Sequence, residues 1–451
     1  MIKMKKHPTG FAALLHRVKF VPAVALVATV LTSCVTAQPE PGFVSMFDGK
    51  TLSGWTLVGQ HGAGYGVTNG VLYCAQDGGG NLLTDQDFDD FILRLEFKLE
   101  DGSNNGIGIR APFSGDAAYL GMEIQILEDT AADRGKWGKL QAEQYHGSIY
   151  GVVAAKRGAL KPPGQWNTEE ITAQGRRIKV VVNGKTIVDT DLNDVTNPEI
   201  IRQHPGLFRE RGRIGFLGHG DYLEFRNIRI KELPRTERDN SAPEGFTALF
   251  NGQNLDGWKG LLKGPNDNPI KRAALTPEQR AEAQKEADDD MRAHWRVENG
   301  AFVFDGKGRS LCTSKDYADF ELLVDWKITE HGDSGIYLRG SPQVSIWDPF
   351  TQPTKHGSEV GSGAFYNNQK HPNKPDKVAD KPIGQWNRFR ILMVGERAHI
   401  FLNGELVTRD TVLENYWDRT IPIFASGQIE LQNHGDALWF KNIYVREIIR
   451  K

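Results

Sequence analysis

Phe91-Ile92-Leu93-Arg94-Leu95-Glu96-Phe97-Lys98-Leu99 decides the fold class. Apolar side chains stand at every second position and Arg94, Glu96 and Lys98 fill the gaps. That is the period of a β-strand with one face on a core. The pattern returns further on, where Phe320, Leu322, Val324, Trp326 and Ile328 alternate with Glu321, Asp325 and Lys327. Two hairpins are equally legible, Ile178 to Val188 folded at Asn183-Gly184 and His399 to Val407 folded at Asn403-Gly404. Asn-Gly suits a type I′ turn because both residues tolerate positive φ. Many such strands joined by Gly-rich turns predict an all-β chain of the sandwich or jelly-roll kind.

The strand is one word in a sentence written twice. Phe47-Asp48-Gly49, Leu52 and Gly54-Trp55 recur as Phe250-Asn251-Gly252, Leu255 and Gly257-Trp258. Gly106-Ile107 through Arg110 recurs as Gly335-Ile336 through Arg339, and Gln165-Trp166-Asn167 as Gln385-Trp386-Asn387. His219-Gly220-Asp221 matches His434-Gly435-Asp436, and Asn227-Ile228 matches Asn442-Ile443. The order never changes. A unit of roughly 200 residues is a domain rather than a solenoid repeat. The expected division is a first domain over 43–232, a linker over 233–245 with no apolar period, and a second domain over 246–451. The second carries one helical insert at about 276–293, announced by Thr276-Pro277-Glu278-Gln279, with a cap, Pro at the first helical position and Gln at the capping-box position. Its Ala/Glu/Lys/Asp content predicts a solvated arm, with a lid over a pocket as the alternative.

The 451 residues carry 55 Lys+Arg against 57 Asp+Glu. That balance gives no basic footprint, so no nucleic-acid partner is expected. With 39% hydrophobic and 25% charged residues, wholesale disorder is excluded. Lys3, Lys5, Lys6, Arg17 and Lys19 precede an apolar run from Phe20 to Leu31. The run is too short to span a bilayer, which takes about 20 residues, but it suits the h-region of an export signal. It ends in Leu31-Thr32-Ser33-Cys34, which looks like a bacterial lipobox with Cys34 as the lipidated first residue. Residues 1–33 are read as a lipoprotein signal peptide and 34–42 as a tether. The expected location is the bacterial cell envelope, periplasmic or outer-membrane, with a lipid anchor as the only membrane contact. Cys74 and Cys312 then read as two buried free thiols, neither at zinc-ligand spacing.

In combination these words resemble one family, the 3-keto-disaccharide (3-keto-glycoside) hydrolases, formerly a domain of unknown function. The resemblance covers nearly all of the chain after residue 42. It implies two tandem concanavalin/laminarinase-like jelly-roll sandwiches, a role in glycoside breakdown, and an oligosaccharide or glycoside as substrate.

The candidate chemistry sits on two neighbouring strands. In Glu123-Ile124-Gln125-Ile126-Leu127-Glu128, Glu123 and Gln125 share one face. Regular alternation puts Gly106, Gly108 and Arg110 on one face of the strand before it. A C3 ketone acidifies the C2 proton, so a base can form an enolate that expels the C1 substituent, and water addition completes a net hydrolysis. This needs one base, a stabiliser of the enolate oxygen, and an acid for the leaving group. The candidates are Glu123 or His146 as base, Arg110 with Gln125 near the developing charge, and His219 as acid or as a metal ligand. Tyr150 and, in the second unit, Tyr337, Arg339, Trp347 and His434 are candidate substrate-binding residues. A divalent ion held by His and carboxylate oxygens is another way to polarise the ketone; no ligand spacing requires one, and no other cofactor is implied. Two rivals remain. Glu123 with Glu128 would serve an ordinary retaining glycosidase if both reached one face, and the pair of sandwiches could bind glycans without cleaving them.

Overall fold

The computed structural model describes residues 40–235, 238–351 and 355–450. The expected signal segment and Cys34 lie outside the described residues. Among these residues the chain forms four antiparallel sheets, two of eight strands and two of five, making two β-sandwich domains. No described helix is long and apolar enough to cross a membrane.

In the first sandwich the small sheet runs, in spatial order, Trp55–His61, Gly79–Thr84, Arg213–His219, Asn104–Ala111 and Met122–Leu127. Phe91–Leu99 lies inside the large sheet between Trp166–Gln174 and Leu223–Glu232. Its alternation decides the packing. Phe91, Leu93, Leu95, Phe97 and Leu99 are buried in the core against Ile107, Ile109, Ile124, Ile126 and Phe216 of the small sheet. Arg94, Glu96 and Lys98 stay partly exposed and pair with Glu170, Arg226 and Glu224.

The second sandwich repeats the strand order in both sheets. Its small sheet is Trp258–Gly260, Leu311–Thr313, Glu430–Leu431, Asp333–Tyr337 and Gln343–Trp347. Both Asn-Gly hairpins form as read, with φ of 49° and 78° at Asn183 and Gly184 and 54° and 85° at Asn403 and Gly404. Cys74 and Cys312 are buried free thiols.

The helical insert forms as Pro277–His294, with the full capping box at Thr276 and Gln279. It is not the free arm its composition suggests. Ala287 and Met291 are buried. A Cβ at Gly260 would overlap the Ala287 carbonyl, Asp288 accepts the Gly260 N–H at 3.0 Å, and Gln284 donates to the Gly260 carbonyl at 2.9 Å. The helix thus covers the edge strand of the small sheet, occupying backbone groups that would otherwise invite another strand. A shorter helix, Pro269–Ala273, precedes it and was not legible in the sequence.

Candidate functional site

The outer face of the first small sheet carries the site. Register fixes which side chains share it. Gly108 pairs with Glu123, Gly106 with Gln125 and with Leu217, and Gly79 with His219 and His61. Glu123, Gln125, His219, His61 and Asn81 therefore point away from the core, above a floor of glycines. The floor is necessary. A Cβ at Gly106 would collide with the Glu123 carboxylate, and one at Gly79 would lie 2.8 Å from His61 Nε2.

Glu123 is buried and its Oε1 has no hydrogen-bond partner within the protein. His219 Nε2 lies 3.6 Å from this Oε1, on a side chain 46% exposed. The contact with Glu123 raises the His219 pKa above the ordinary histidine value, against the opposing effect of burial. Gln125 is buried beside Glu123 and its Oε1 is likewise unpartnered. Tyr150 stands at the edge, its backbone N–H donating to the Glu123 carbonyl at 2.9 Å and its hydroxyl accepting from Gln144 at 3.0 Å. Tyr119 faces the same region. Burial and then the charges of Tyr150, Asp116 and Glu123 raise its pKa, and its ring stacks on His204 at 4.6 Å. Leu83, Leu217, Ala111 and Ala117 form a small apolar patch outside the main core, with Leu217 over Gly108.

Two expected members are elsewhere. Arg110 is in the left-handed region, with φ of 49°, and the strand pairing slips between Arg213 and Gly215 opposite it. The alternation assumed for Gly106, Gly108 and Arg110 fails at that point. The buried Arg110 guanidinium binds the carbonyls of Asp89, Gly175 and Arg209 and the Asp90 carboxylate. Arg339 repeats this at φ 54°, binding the carbonyls of Ala318, Gly395 and Phe424 and the Asp319 carboxylate. Both arginines are clamps on loop backbone, so neither Arg110 as a catalytic group nor Arg339 as a substrate contact has a place on these faces.

His146 is also turned inward. It is buried, its ring lies 5.2 Å from Phe97, and Nδ1 accepts from the Leu127 N–H at 3.4 Å. Burial pulls its pKa down to about 3, so it stays neutral through the physiological range. Glu128 does not complete a retaining pair either. Its carboxylate caps the short helix Asp129–Asp133, accepting from Thr130 and Ala131.

In the second sandwich Gln343 replaces Glu123 and lies over Gly335 as Glu123 lies over Gly106. Its Nε2 donates to Gln432 Oε1 at 2.5 Å. Trp347 is buried and donates to Asp333 Oδ1 at 3.1 Å, and His434 Nδ1 is 3.2 Å from Asp333 Oδ2. Tyr337 shares this face, and burial followed by Glu430 and Tyr416 raises its pKa. Among the described residues no group of three or more His, Cys, Asp or Glu side chains is placed to hold a metal ion.

His61, Asn81 and Tyr119 escaped the sequence reading. The signal for His61 was Gly78-Gly79-Gly80, since glycines inside a strand mark a close approach by another group.

The architecture defines a tandem jelly-roll sandwich protein with a carboxylate–imidazole pair on its first outer face. A family model for the 3-keto-alpha-glucoside-1,2-lyase-like domain matches residues 42–231 and again 245–446. The chain belongs to this family, and it is a glycoside-directed, hydrolase-like protein. A curated relative from Bacteroides thetaiotaomicron, named 3-keto-disaccharide hydrolase, is 29% identical, with the match covering 46% of this chain and 84% of the relative. Two crystal structures from Parabacteroides distasonis, each described as a candidate glycosyl hydrolase, also match. One is 30% identical with a TM-score of 0.38, covering 42% of this chain and 99% of that one. The other is 20% identical with a TM-score of 0.36, covering 43% and 95%.

Proposed function

We propose that this protein is an exported, lipid-anchored enzyme of the bacterial cell envelope that breaks the glycosidic bond of 3-keto-glycosides in its first sandwich. The observation that carries the reading is the unpartnered Glu123 Oε1, 3.6 Å from His219 Nε2 on a glycine floor. A buried carboxylate oxygen with no hydrogen-bond donor is free to accept a proton, and the imidazole beside it, its pKa raised by that carboxylate, can give one.

The steps follow from those two groups. Glu123 removes the C2 proton of the keto sugar, and the electron pair moves toward the C3 oxygen. Gln125 offers an amide N–H to that oxygen as its charge grows. The pair then returns to form the C1=C2 bond, and the C1–O bond breaks. His219 gives its Nε2 proton to the departing oxygen, so an alcohol leaves. Water then adds across the double bond, its hydroxyl to C1 and a proton to C2, which restores the 3-keto sugar. Neither Glu128 nor a covalent glycosyl intermediate is required. The patch around Leu217 gives the apolar side of the ring a dry wall.

The test is turnover by purified protein on paired native and 3-oxidised disaccharides, with and without chelator. Cleavage is expected only of the oxidised partner, and Glu123→Gln should lower it by about 10²–10⁴-fold with an unchanged melting curve. Undiminished turnover in Glu123→Gln would remove Glu123 from the mechanism. Loss on adding chelator would assign a part to a divalent ion. For the anchor, Cys34→Ser should move the protein from the membrane fraction to the soluble one; continued membrane association would overturn lipidation at Cys34.

A further inference from the structure

The two outer faces have diverged in opposite directions. The first has a buried carboxylate with an unsatisfied oxygen. The second has an amide in its place, already bonded to Gln432, and its remaining carboxylate on the central strand, Glu430, is buried beneath Arg272 from the short helix Pro269–Ala273 at 3.4 Å. What the second face has gained is aromatic surface. Of the most exposed aromatic side chains among the described residues, Phe113 belongs to the first sandwich, whereas Phe350, Tyr366 and Tyr416 belong to the second.

These rings are held at the border of the face. Tyr366 is 53% exposed and meets the buried Trp347 edge-on at 5.9 Å. It lies within a segment that pairs with Gln343–Trp347, where the Ser345 N–H donates to the Ala364 carbonyl and the Gln343 N–H to Asn367 Oδ1. Tyr416 is 44% exposed and packs edge-on to Trp417 at 5.1 Å, whose indole N–H is fixed to the Gly340 carbonyl at 2.7 Å. Tyr416 is also near enough to Tyr337 for its charge to raise that hydroxyl's pKa. Beside the Asp333–His434 pair the face offers neutral polar groups between the rings. Ser345 Oγ and Gln428 Oε1 are buried on it without a hydrogen-bond partner.

We propose that the outer face of the second sandwich is a binding site for neutral oligosaccharides, with Tyr366 and Tyr416 as its stacking rings, and that it holds glycan without cleaving it. Rigid rings with one wet end, set beside uncharged hydrogen-bonding groups, suit a ligand with apolar ring faces and a rim of hydroxyls. The proposal rests on the glycoside-directed reading of the family, not on the chemistry assigned to Glu123.

The experiment is calorimetric titration of maltohexaose and cellohexaose, unoxidised, into the full chain. Saturable binding of at least one is expected, retained in Glu123→Gln and weakened about tenfold or more in Tyr366→Ala/Tyr416→Ala. Both tyrosines are exposed, so the double variant should melt as the parent does; Tyr366→Phe/Tyr416→Phe, which keeps the rings, should keep most of the affinity. Absence of binding to either sugar would overturn the proposal, as would binding that the tyrosine pair does not affect or that Glu123→Gln abolishes. Such a failure would leave the effect of Glu123→Gln on turnover as it stands, so the two readings fall separately.

Discussion

Phe91–Leu99 and Phe320–Ile328 hold the same place in their sandwiches, yet their surroundings differ. The first alternates buried and partly exposed positions along its length, whereas the second is buried at every position but Lys327. The difference lies outside the strands. Leu392 and Phe401 of the second large sheet, with Ile448 just past its Leu438–Glu447 strand, pack into the hydrophobic cluster of the first sandwich, so the charges on that sheet are covered. Glu321 is caught between Arg390 and Arg446, and Arg390 also reaches Glu210 of the first sandwich. The outward face of the same strand thus carries surface ion pairs in one copy and a buried network in the other, where Glu321 stands at the place of Ile92.

Truncating the buried member gives the sharpest contrast in stability. Glu321→Ala strands Arg446 in the covered interface and leaves Arg390 with Glu210 alone, and should cost about 3–5 kcal/mol by denaturant unfolding. Glu170→Ala, which releases the partly exposed Arg94, should cost less than about 1 kcal/mol. Equal costs would mean that the interface is hydrated in solution. The pair also differs in acid. Burial alone would raise the Glu321 pKa, but Arg390, Arg176 and Arg446 win and hold it below the ordinary value. A depressed folded pKa adds stability above the unfolded value of about 4.3, which is lost as pH falls through the folded one. Glu321→Ala should therefore flatten the acid limb of the stability profile.

The sequence showed the alternation because a strand's period is local. It did not show which outer face would be covered, because Glu321, Leu323 and Asp325 read like any solvated edge until a second sheet lies over them. The site was half legible for a similar reason. Glu123, Gln125 and His219 obey strand parity, and their register follows from it. Arg110 does not, because one left-handed residue opposite a pairing slip undoes a rule that holds for the rest of the strand. His61 depends on a bulge between Val58 and His61 that no period announces.

The interiors differ as the surfaces do. Glu169 faces the first core opposite Leu95, while Phe389 holds the matching position opposite Val324. Both Glu169 oxygens are buried without partners, and burial pushes its pKa up to about 8. A raised folded pKa on an acid means stability is full below the unfolded pKa and declines as pH rises toward the folded one. The protein should thus lose stability between about pH 4 and pH 8, and Glu169→Gln should remove most of that slope. Replacing the unsatisfied acid should also stabilise the protein by about 1–3 kcal/mol at alkaline pH. An unchanged slope in Glu169→Gln would place the titration on another group.

The smallest effect is expected where the two copies solve one problem with different side chains. The Leu127 N–H donates to His146 Nδ1, and at the matching place the Trp347 N–H donates to Ser362 Oγ at 2.9 Å. A hydroxyl therefore suffices for this backbone bond, and the imidazole of His146 adds a neutral ring against Phe97. His146→Ser should keep turnover of a 3-keto-disaccharide within about twofold and leave its pH profile in place, because a histidine with a pKa near 3 exchanges no proton at neutral pH. His219→Ser should do the opposite, lowering turnover by about 10²-fold or more and removing the alkaline limb of the profile. If His146→Ser shifts that limb, the inward histidine reaches the reacting sugar by a path that its buried position does not reveal. If His219→Ser leaves the limb in place, the proton donor is another group on the face, with His61 the first to exchange.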